Sequence, residues 1–540
     1  MFNQHVPSYV NPILSGFYPD PSVCRVNQNY FLVNSTFEYL PGIPIFKSAN
    51  LVDWTHIGNA IDRGSQIEMI SPAPSGGLYA PTIRHYGGCF YIVCTNVSGK
   101  GNFLITASDP AGPWSDPIWI EGAQGIDPSL YFENDGKCFY IGNGNPEQPL
   151  YDGHHNLWLQ QIDPGSGRLI GQKTILVDGG SDISTEPIWI EGPHLYKWFG
   201  RYYIVAAEGG TGSYHSVVAF RTERHGEISG PYHPCPSNPI VTNRNLTPNR
   251  PNPITCTGHA DLIETENGDL WMVLLGCQPY EEGYFNTGRE TFLVPMTWKD
   301  EWPHTLDNSG LVKSAYHSSL WGFPSSQEPE EHPESFYDDF DIPILNPKWL
   351  AIGKHPAECS WLEIDHENSR LCLAGTQDTV GQRGNPAFIG YRQKHSDFTA
   401  IANVELSAPS QTLSAGLIAA QNNRTFLGLI IQYQADGPYL SLIKKDLDCS
   451  EELLSTVRIN PGEIALHIEG LGALYIFTAY QNLTNDPIMS VETDGKILST
   501  EYAGGFVGAL IGMYASNKEV EPLARLICHR YDYTGKLKRN

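Results

Sequence analysis

Short runs of apolar, β-branched and aromatic residues alternate along the chain with polar or glycine turns, and the pattern recurs at long range. Five stretches share one plan: YPDPSVCRVNQNYFLVNST from residue 18, YAPTIRHYGGCFYIVCTN from 79, IDPSLYFENDGKCFYIGNG from 126, IEGPHLYKWFGRYYIVAAEGG from 190 and GHADLIETENGDLWMVLLG from 258. Each predicts a strand, a tight turn and a second strand rich in aromatic and β-branched residues. Anchor positions 20, 80, 127, 191 and 259 lie 60, 47, 64 and 68 residues apart, which leaves room for two further strands after each hairpin. Segments such as IPIFKSANLVDWTHI and FLITASDPAGPWSDPIWI supply them. Four strands in each of five repeats predict a five-bladed β-propeller over residues 1–322. A sandwich of similar hairpins is the alternative, but it does not explain so regular a repeat.

The pattern then breaks. FPSSQEPEEHPES, residues 323–335, is rich in Pro, Ser and Glu without apolar periodicity and reads as a linker. From Phe336 to the C-terminus, FTAIANVEL, FLGLIIQYQ, YLSLIKKDL, IALHIEG and LYIFTAY alternate at period two and predict a second all-β domain, a β-sandwich, over residues 336–540.

The repeat has a chemical consequence. Inner strands of successive blades surround one axis, so Asp20, Ala80, Asp127, Glu191 and His259 converge. Three acids then share one cavity, where each raises the pKa of the others. A structural role alone rarely selects such a cluster, so it either binds a cation or performs acid–base chemistry. Calcium suits several carboxylates, yet the acids are spread over separate blades with no compact DxDxDG loop. Glycoside hydrolysis also suits them, since it needs one protonated and one ionised carboxyl, about 6.5 to 9.5 Å apart for inversion or about 5 to 5.5 Å for retention. Asp20 stands between Pro19 and Pro21 in GFYPDPSVC; a lone PDP is an ordinary turn, but the flanking φ restriction also limits how far an acid's backbone moves.

Composition narrows the partners. At 540 residues, two to four domains are expected. The net charge of -25 argues against nucleic acid, whose binding rests on basic contacts to phosphates. No apolar run approaches the roughly 20 residues that span a bilayer, so no membrane partner is expected. Aromatic residues reach 11%, which suits both β packing and stacking on a ligand. The 11 cysteines form no CxxC pair, and Cys89, Cys94 and Cys138 fall inside strand-like runs as small apolar residues. Sequons occur at Asn34, Asn96, Asn245, Asn423 and Asn482, but MFNQHVPSYVNPIL shows no leader pattern. A cytoplasmic location is therefore expected, or a secreted one if a leader was removed.

At these residues the chain resembles glycoside hydrolase family 43, most closely its two-domain β-xylosidases. The similarity is carried by NPILSGFYPDPS at 11–22, NSTFEYLPGIPIFKSANLVDW at 34–54, GIDPSL at 125–130, EGPHLYK at 191–197, AEGGT at 207–211 and GRETFL at 288–293. The resemblance implies an exo-acting, inverting hydrolase releasing terminal β-D-xylose from xylo-oligosaccharides, with α-L-arabinofuranosidase or dual activity as the alternative. A non-catalytic glycan- or protein-binding propeller is the rival of another class. Asp20 would be the general base, Glu191 the general acid, and Asp127 the residue that raises the pKa of Glu191 and orients it. Arg289 would reach substrate hydroxyls through its planar fork. Phe37 and Tyr79 would wall the sugar site, with Thr211 and the Ala80 backbone beside them; core packing is the bland alternative for Phe37. Tyr79 departs from the WAP of many relatives, bringing a smaller ring and a hydroxyl. His259 is either a buried hydrogen-bonded imidazole or a metal-linked one, so no cofactor is required and calcium stays open. In the second domain Asp338, Asp339, Phe340 and Trp349 match the opening of a concanavalin-like jelly roll, and MYASNKE at 513–519 is expected as a loop closing the pocket. The implied partner is a small oligosaccharide, with homo-oligomer formation left open.

Overall fold

Five four-stranded antiparallel sheets follow one another from Ser22 to Thr305 in the computed structural model, which describes residues 7–67, 69–247, 250–317, 334–481, 486–519 and 524–536. Each sheet opens on the inner strand foreseen by the repeat: Ser22–Val26, Leu78–Tyr86, Ser129–Phe132, Glu191–Trp198 and Thr255–Glu264. Each then runs outward through its hairpin partner to two further strands, in simple sequential order. The fold is the expected five-bladed propeller. Apolar clusters lie between neighbouring blades; Ile83, Ile92 and Phe103 of the second blade, for example, pack on Phe31, Val33 and Ile45 of the first. Radial packing of this kind buries both faces of a sheet, which explains why blade strands such as CFYIVCTN read as nearly continuous apolar runs.

The propeller ring closes through the N-terminal segment. Pro7–Val10 pairs with Ala315–His317. Asn11 Nδ2 donates to the carbonyls of Leu293 and Lys313, while Asn11 Oδ1 accepts the Leu293 N–H. Residues 7–11 are thereby bound to the fifth blade and the strand after it, and Asp20 is held between the first blade and the fifth.

The second domain is a two-sheet sandwich. One sheet has six strands, in spatial order Ala387–Arg392, Leu510–Asn517, Leu413–Asn422, Thr425–Gln434, Gly437–Asp446 and Glu452–Arg458; the other has eight. Asp338 accepts from Trp349 Nε1 at 2.8 Å and from the Phe340 N–H at 3.0 Å, and both rings lie in the sandwich core. Residues 323–333 of the expected linker lie outside the described residues; Ser335–Asp338 is a strand on the eight-stranded sheet.

An apolar seam joins the domains. Phe17, Phe37 and Tyr39 pack with Phe388, Ile418, Val507, Leu510 and Tyr514, and Tyr39–Leu40 pairs with Ala351–Ile352. Segment 513–519 is not the closing loop. It falls largely within the inner strand Leu510–Asn517, where Ile511, Met513 and Ala515 face the sandwich core while Leu510 and Tyr514 face the seam. A strand buried on both faces loses the polar alternation by which strands are recognised, which is why MYASNKE reads as a loop.

Candidate active site

The anchor positions share an unusual backbone. Asp20, Ala80, Asp127 and His259 have φ of 52°, 27°, 54° and 50°, in the left-handed region that costs a non-glycine residue about 1–3 kcal/mol. In blade four the corresponding residue is Gly192, at φ 56°, rather than Glu191. The first four of these positions in chain order each precede a proline: Pro21, Pro81, Pro128 and Pro193. A Cβ at Gly192 would lie 2.9 Å from the His259 ring, so no side chain fits and the acid stands one residue earlier. Pairing registers slip here too, between Tyr79 and Thr82, Glu191 and His194, and Thr255 and Asp261. Such bulges re-aim side chains at a sheet edge.

These positions open on a cavity of about 220 Å³ at the end of the axis. Asp20, Asp127, Glu191, Phe37, Tyr79, Thr211, His259 and Arg289 all line it, together with Ile126, His155, Trp189 and Phe506. Ala80 does not. Its N–H donates to Ser35 Oγ at 2.7 Å, and Ser35 donates its own proton to Asp20 Oδ2 at 2.6 Å. Ala80 therefore orients the Asp20 carboxylate indirectly instead of facing the cavity. Phe37 belongs both to the cavity wall and to the seam, so it packs in the apolar seam and lines the cavity at once. The Tyr79 hydroxyl donates to the Ser75 carbonyl at 2.6 Å, which ties the departure from WAP back to the protein.

The acids differ in charge state. Burial pushes Asp20 up, but Arg289, whose Nη1 lies 3.3 Å from Oδ1, outweighs it together with His259 and Ser35, and the carboxyl falls below its ordinary range. Burial lowers His259 itself, so the standing positive charge is that of Arg289. Glu191 moves the other way, lifted to about 7 by burial first and by the charge of Asp20 second. Asp127 is raised as well, by burial, by Glu191 and by Asp20. Asp127 and Glu191 thus titrate as a pair that retains a proton into the neutral range. Burial, rather than the charge of Asp127 expected from the sequence, is the largest cause of the Glu191 shift. The arrangement places an ionised carboxylate and a protonated carboxyl in one cavity.

A further buried acid, two residues past His259, has a different fate. Asp261 accepts from Ser22 Oγ at 2.7 Å, the Val23 N–H at 3.0 Å, Arg84 at 2.8 Å and Tyr196 at 2.5 Å. Burial opposes its ionisation, yet Arg84, His194 and these donors hold it well below the carboxylate range. Arg84 also reaches His194 Nδ1 at 2.8 Å, which makes that nitrogen the acceptor. The network draws residues from blades one, two, four and five around the axis.

Among the described residues no group of three His, Cys, Asp or Glu side chains is placed to hold a metal, and Asp20 is flanked by Arg289, Ser35 and the His259 imidazole.

Several lining or supporting residues escape sequence reasoning, Ile126 among them. Ser35 sits inside NST, which reads as a sequon, although Asn34 is fully buried. Trp189 and His155 lie outside the repeat anchors. Phe506 comes from the other domain; its ring lies 5.9 Å from Phe37 and beneath the Arg289 guanidinium at 5.3 Å. The glycine pair Gly504–Gly505 before it is its one local signal.

A propeller whose axis ends in a cavity with one ionised and one protonated carboxyl defines a glycosidase-type hydrolase. Comparison with known proteins gives the particular family. The model of glycosyl hydrolases family 43 matches residues 9–303, and that of the β-xylosidase C-terminal concanavalin A-like domain matches residues 337–524. The chain is 36% identical over 518 residues to a xylosidase/arabinosidase of Butyrivibrio fibrisolvens, covering 94% of this chain and 95% of that one. It is likewise 36% identical to a non-reducing end α-L-arabinofuranosidase of Bacteroides ovatus, covering 94% and 91%. Among solved structures, a xylan β-1,4-xylosidase from Bacillus halodurans superposes with a TM-score of 0.87 at 28% identity, over 97% of this chain and all of that one. The chain belongs to glycoside hydrolase family 43. It is a glycosidase acting on oligosaccharides, with a concanavalin-like second domain.

Proposed function

We propose that the protein is an exo-acting, inverting β-D-xylosidase that removes the terminal sugar from the non-reducing end of short xylo-oligosaccharides. The opposite protonation of Asp20 and Glu191 within one cavity carries this reading. Glu191 gives its proton to the glycosidic oxygen as the C1–O bond breaks. Asp20 takes a proton from the water whose oxygen bonds to C1 from the opposite face. Asp127 shares the proton of the acid and holds it in the neutral range; Arg289 fixes the Asp20 carboxylate and faces the sugar hydroxyls. A cavity of about 220 Å³, below the roughly 300 Å³ at which sites for drug-sized ligands begin, suits one monosaccharide and hence exo-action. Eleven unpaired cysteines and the buried Asn34 and Asn96 support a reducing, cytoplasmic setting.

α-L-Arabinofuranosidase activity is the second reading, favoured by the equal 36% identity to a relative named xylosidase/arabinosidase and to one named α-L-arabinofuranosidase. Initial rates on aryl β-D-xyloside and aryl α-L-arabinofuranoside, with the first-formed anomer followed by NMR, test both substrate and mechanism. The xyloside is expected to release α-xylose. Release of β-xylose would remove the base role from Asp20.

A further inference from the structure

Glu38 directly follows the cavity-wall residue Phe37 and precedes Tyr39, where the propeller pairs with the sandwich. Its side chain is 4% exposed. Oε1 accepts the Ser75 N–H at 3.0 Å, and Oε2 is buried with no hydrogen-bond partner among the described residues. Ser75 is a junction, itself strained at φ 56°. Its carbonyl accepts the Tyr79 hydroxyl at 2.6 Å and its Oγ accepts the Phe506 N–H at 2.8 Å. A Cβ at Gly505 would lie 2.4 Å from that Oγ, so the contact tolerates no added atom. One serine therefore holds a cavity wall from each domain, and Glu38 holds the serine.

We propose that Glu38, in its neutral form, is a positioning residue for substrate affinity: it fixes Ser75, and through Ser75 the Tyr79 and Phe506 walls, and its ionisation loosens the seam between the domains. The proposal rests on the glycosidase reading of the cavity. Burial lifts this carboxyl to about 8 against the pull of two backbone N–H groups, those of Ser75 and of Glu38 itself. The facing titratable groups do not offset a charge. Tyr39 and Tyr79 are held protonated by burial. Arg289 is engaged by Asp20, and Arg392 donates to the Phe17 carbonyl. Lys354 and His355 beyond the paired strand, and Glu501 before the Phe506 turn, form no ion pair with Glu38 among the described residues. An ionised Glu38 is left with backbone donors alone in an apolar seam, and the seam must open to solvate it.

The test measures KM and kcat of the full chain on aryl β-D-xyloside from about pH 6 to about pH 9, for the wild type, Glu38→Gln and Ser75→Ala. One pH unit above its midpoint only about a tenth of the molecules keep a neutral Glu38, so wild-type KM rises about tenfold there, in addition to any fall in kcat from Glu191. Glu38→Gln keeps the neutral KM and loses the rise; the same rise in this variant overturns the proposal. Ser75→Ala keeps the acid but removes the Phe506 acceptor, so KM is raised at every pH more than kcat falls, and an unchanged KM counts against the proposal. A substrate-free arm separates this inference from the functional reading. A carboxyl whose folded pKa is raised from 4.5 to about 8 makes the folded state lose stability as pH rises through that window. The Tm advantage of Glu38→Gln over the wild type must therefore widen from about pH 5 to about pH 8 and then level. A constant difference sinks the proposal even if every turnover assay succeeds, and a wild type without turnover leaves the Tm comparison to decide it.

Discussion

Two sets of buried carboxyls occupy the same propeller axis and meet opposite fates. In the cavity, Asp20, Asp127 and Glu191 share one guanidinium, and two of the three are pushed toward protonation. By contrast, Asp261 alone receives a guanidinium, two hydroxyls and a backbone N–H, and is firmly ionised. Burial is similar in both. The number of donors per charge separates a site poised to move protons from one that only holds blades together, because an unpaired buried charge is costly while a fully paired one is inert. Chemistry is located where neutralisation is incomplete.

Substitutions should divide along that line. Asp20→Ala or Glu191→Ala is expected to lose roughly 10²–10⁴-fold in kcat on xylobiose, as general acid–base groups do, and Glu191→Ala to do so with near wild-type melting. Near-normal turnover of either variant would dissolve the contrast. Asp261→Ala is expected to do the reverse where stability is concerned: removing one partner of a buried pair and stranding Arg84 costs about 3–5 kcal/mol, read as a lowered denaturation midpoint. An unchanged midpoint would show the Asp261 network to be dispensable. Asp127→Asn sharpens the comparison within the cavity set. Without repulsion between the two carboxyls, the last proton of the pair is lost more easily, so the alkaline limb of kcat moves to lower pH. A limb that stays in place would mean that burial and Asp20 alone set the acid. The smallest effect belongs to the other domain. Phe506→Ala removes a ring contact worth about 0.5–1.5 kcal/mol, or roughly two- to tenfold, and should appear mainly in KM.

The same contrast explains what could be read in advance. Hairpins of period two repeating five times place Asp20 and Asp127 at equivalent positions, and both sit where that logic puts them. Glu191 is displaced by one residue, because only the packed structure brings His259 against Gly192 and bars a side chain there. Asp261 lies two residues past the anchor His259 in GHADL, yet nothing in that string reveals Arg84 from blade two or Tyr196 from blade four. Ala80 sits on the anchor and still points its N–H to Ser35, a partner 45 residues away. In the sandwich the alternating strands were legible, while the strand containing Met513 was not, since both of its faces are buried.

By itself the sequence determined the class of fold, the break between two domains and the identity of three acids on one axis, because strand periodicity and repeat spacing are local properties that survive in a string of letters. Tertiary structure alone decided which acid keeps its proton, which backbone N–H serves the base, and that Phe506 of one domain completes a cavity built by the other. Those outcomes depend on desolvation and on Coulomb interactions that weaken with distance in space, and distance in space between Glu38, Ser75 and Phe506 is not written in their separation along the chain.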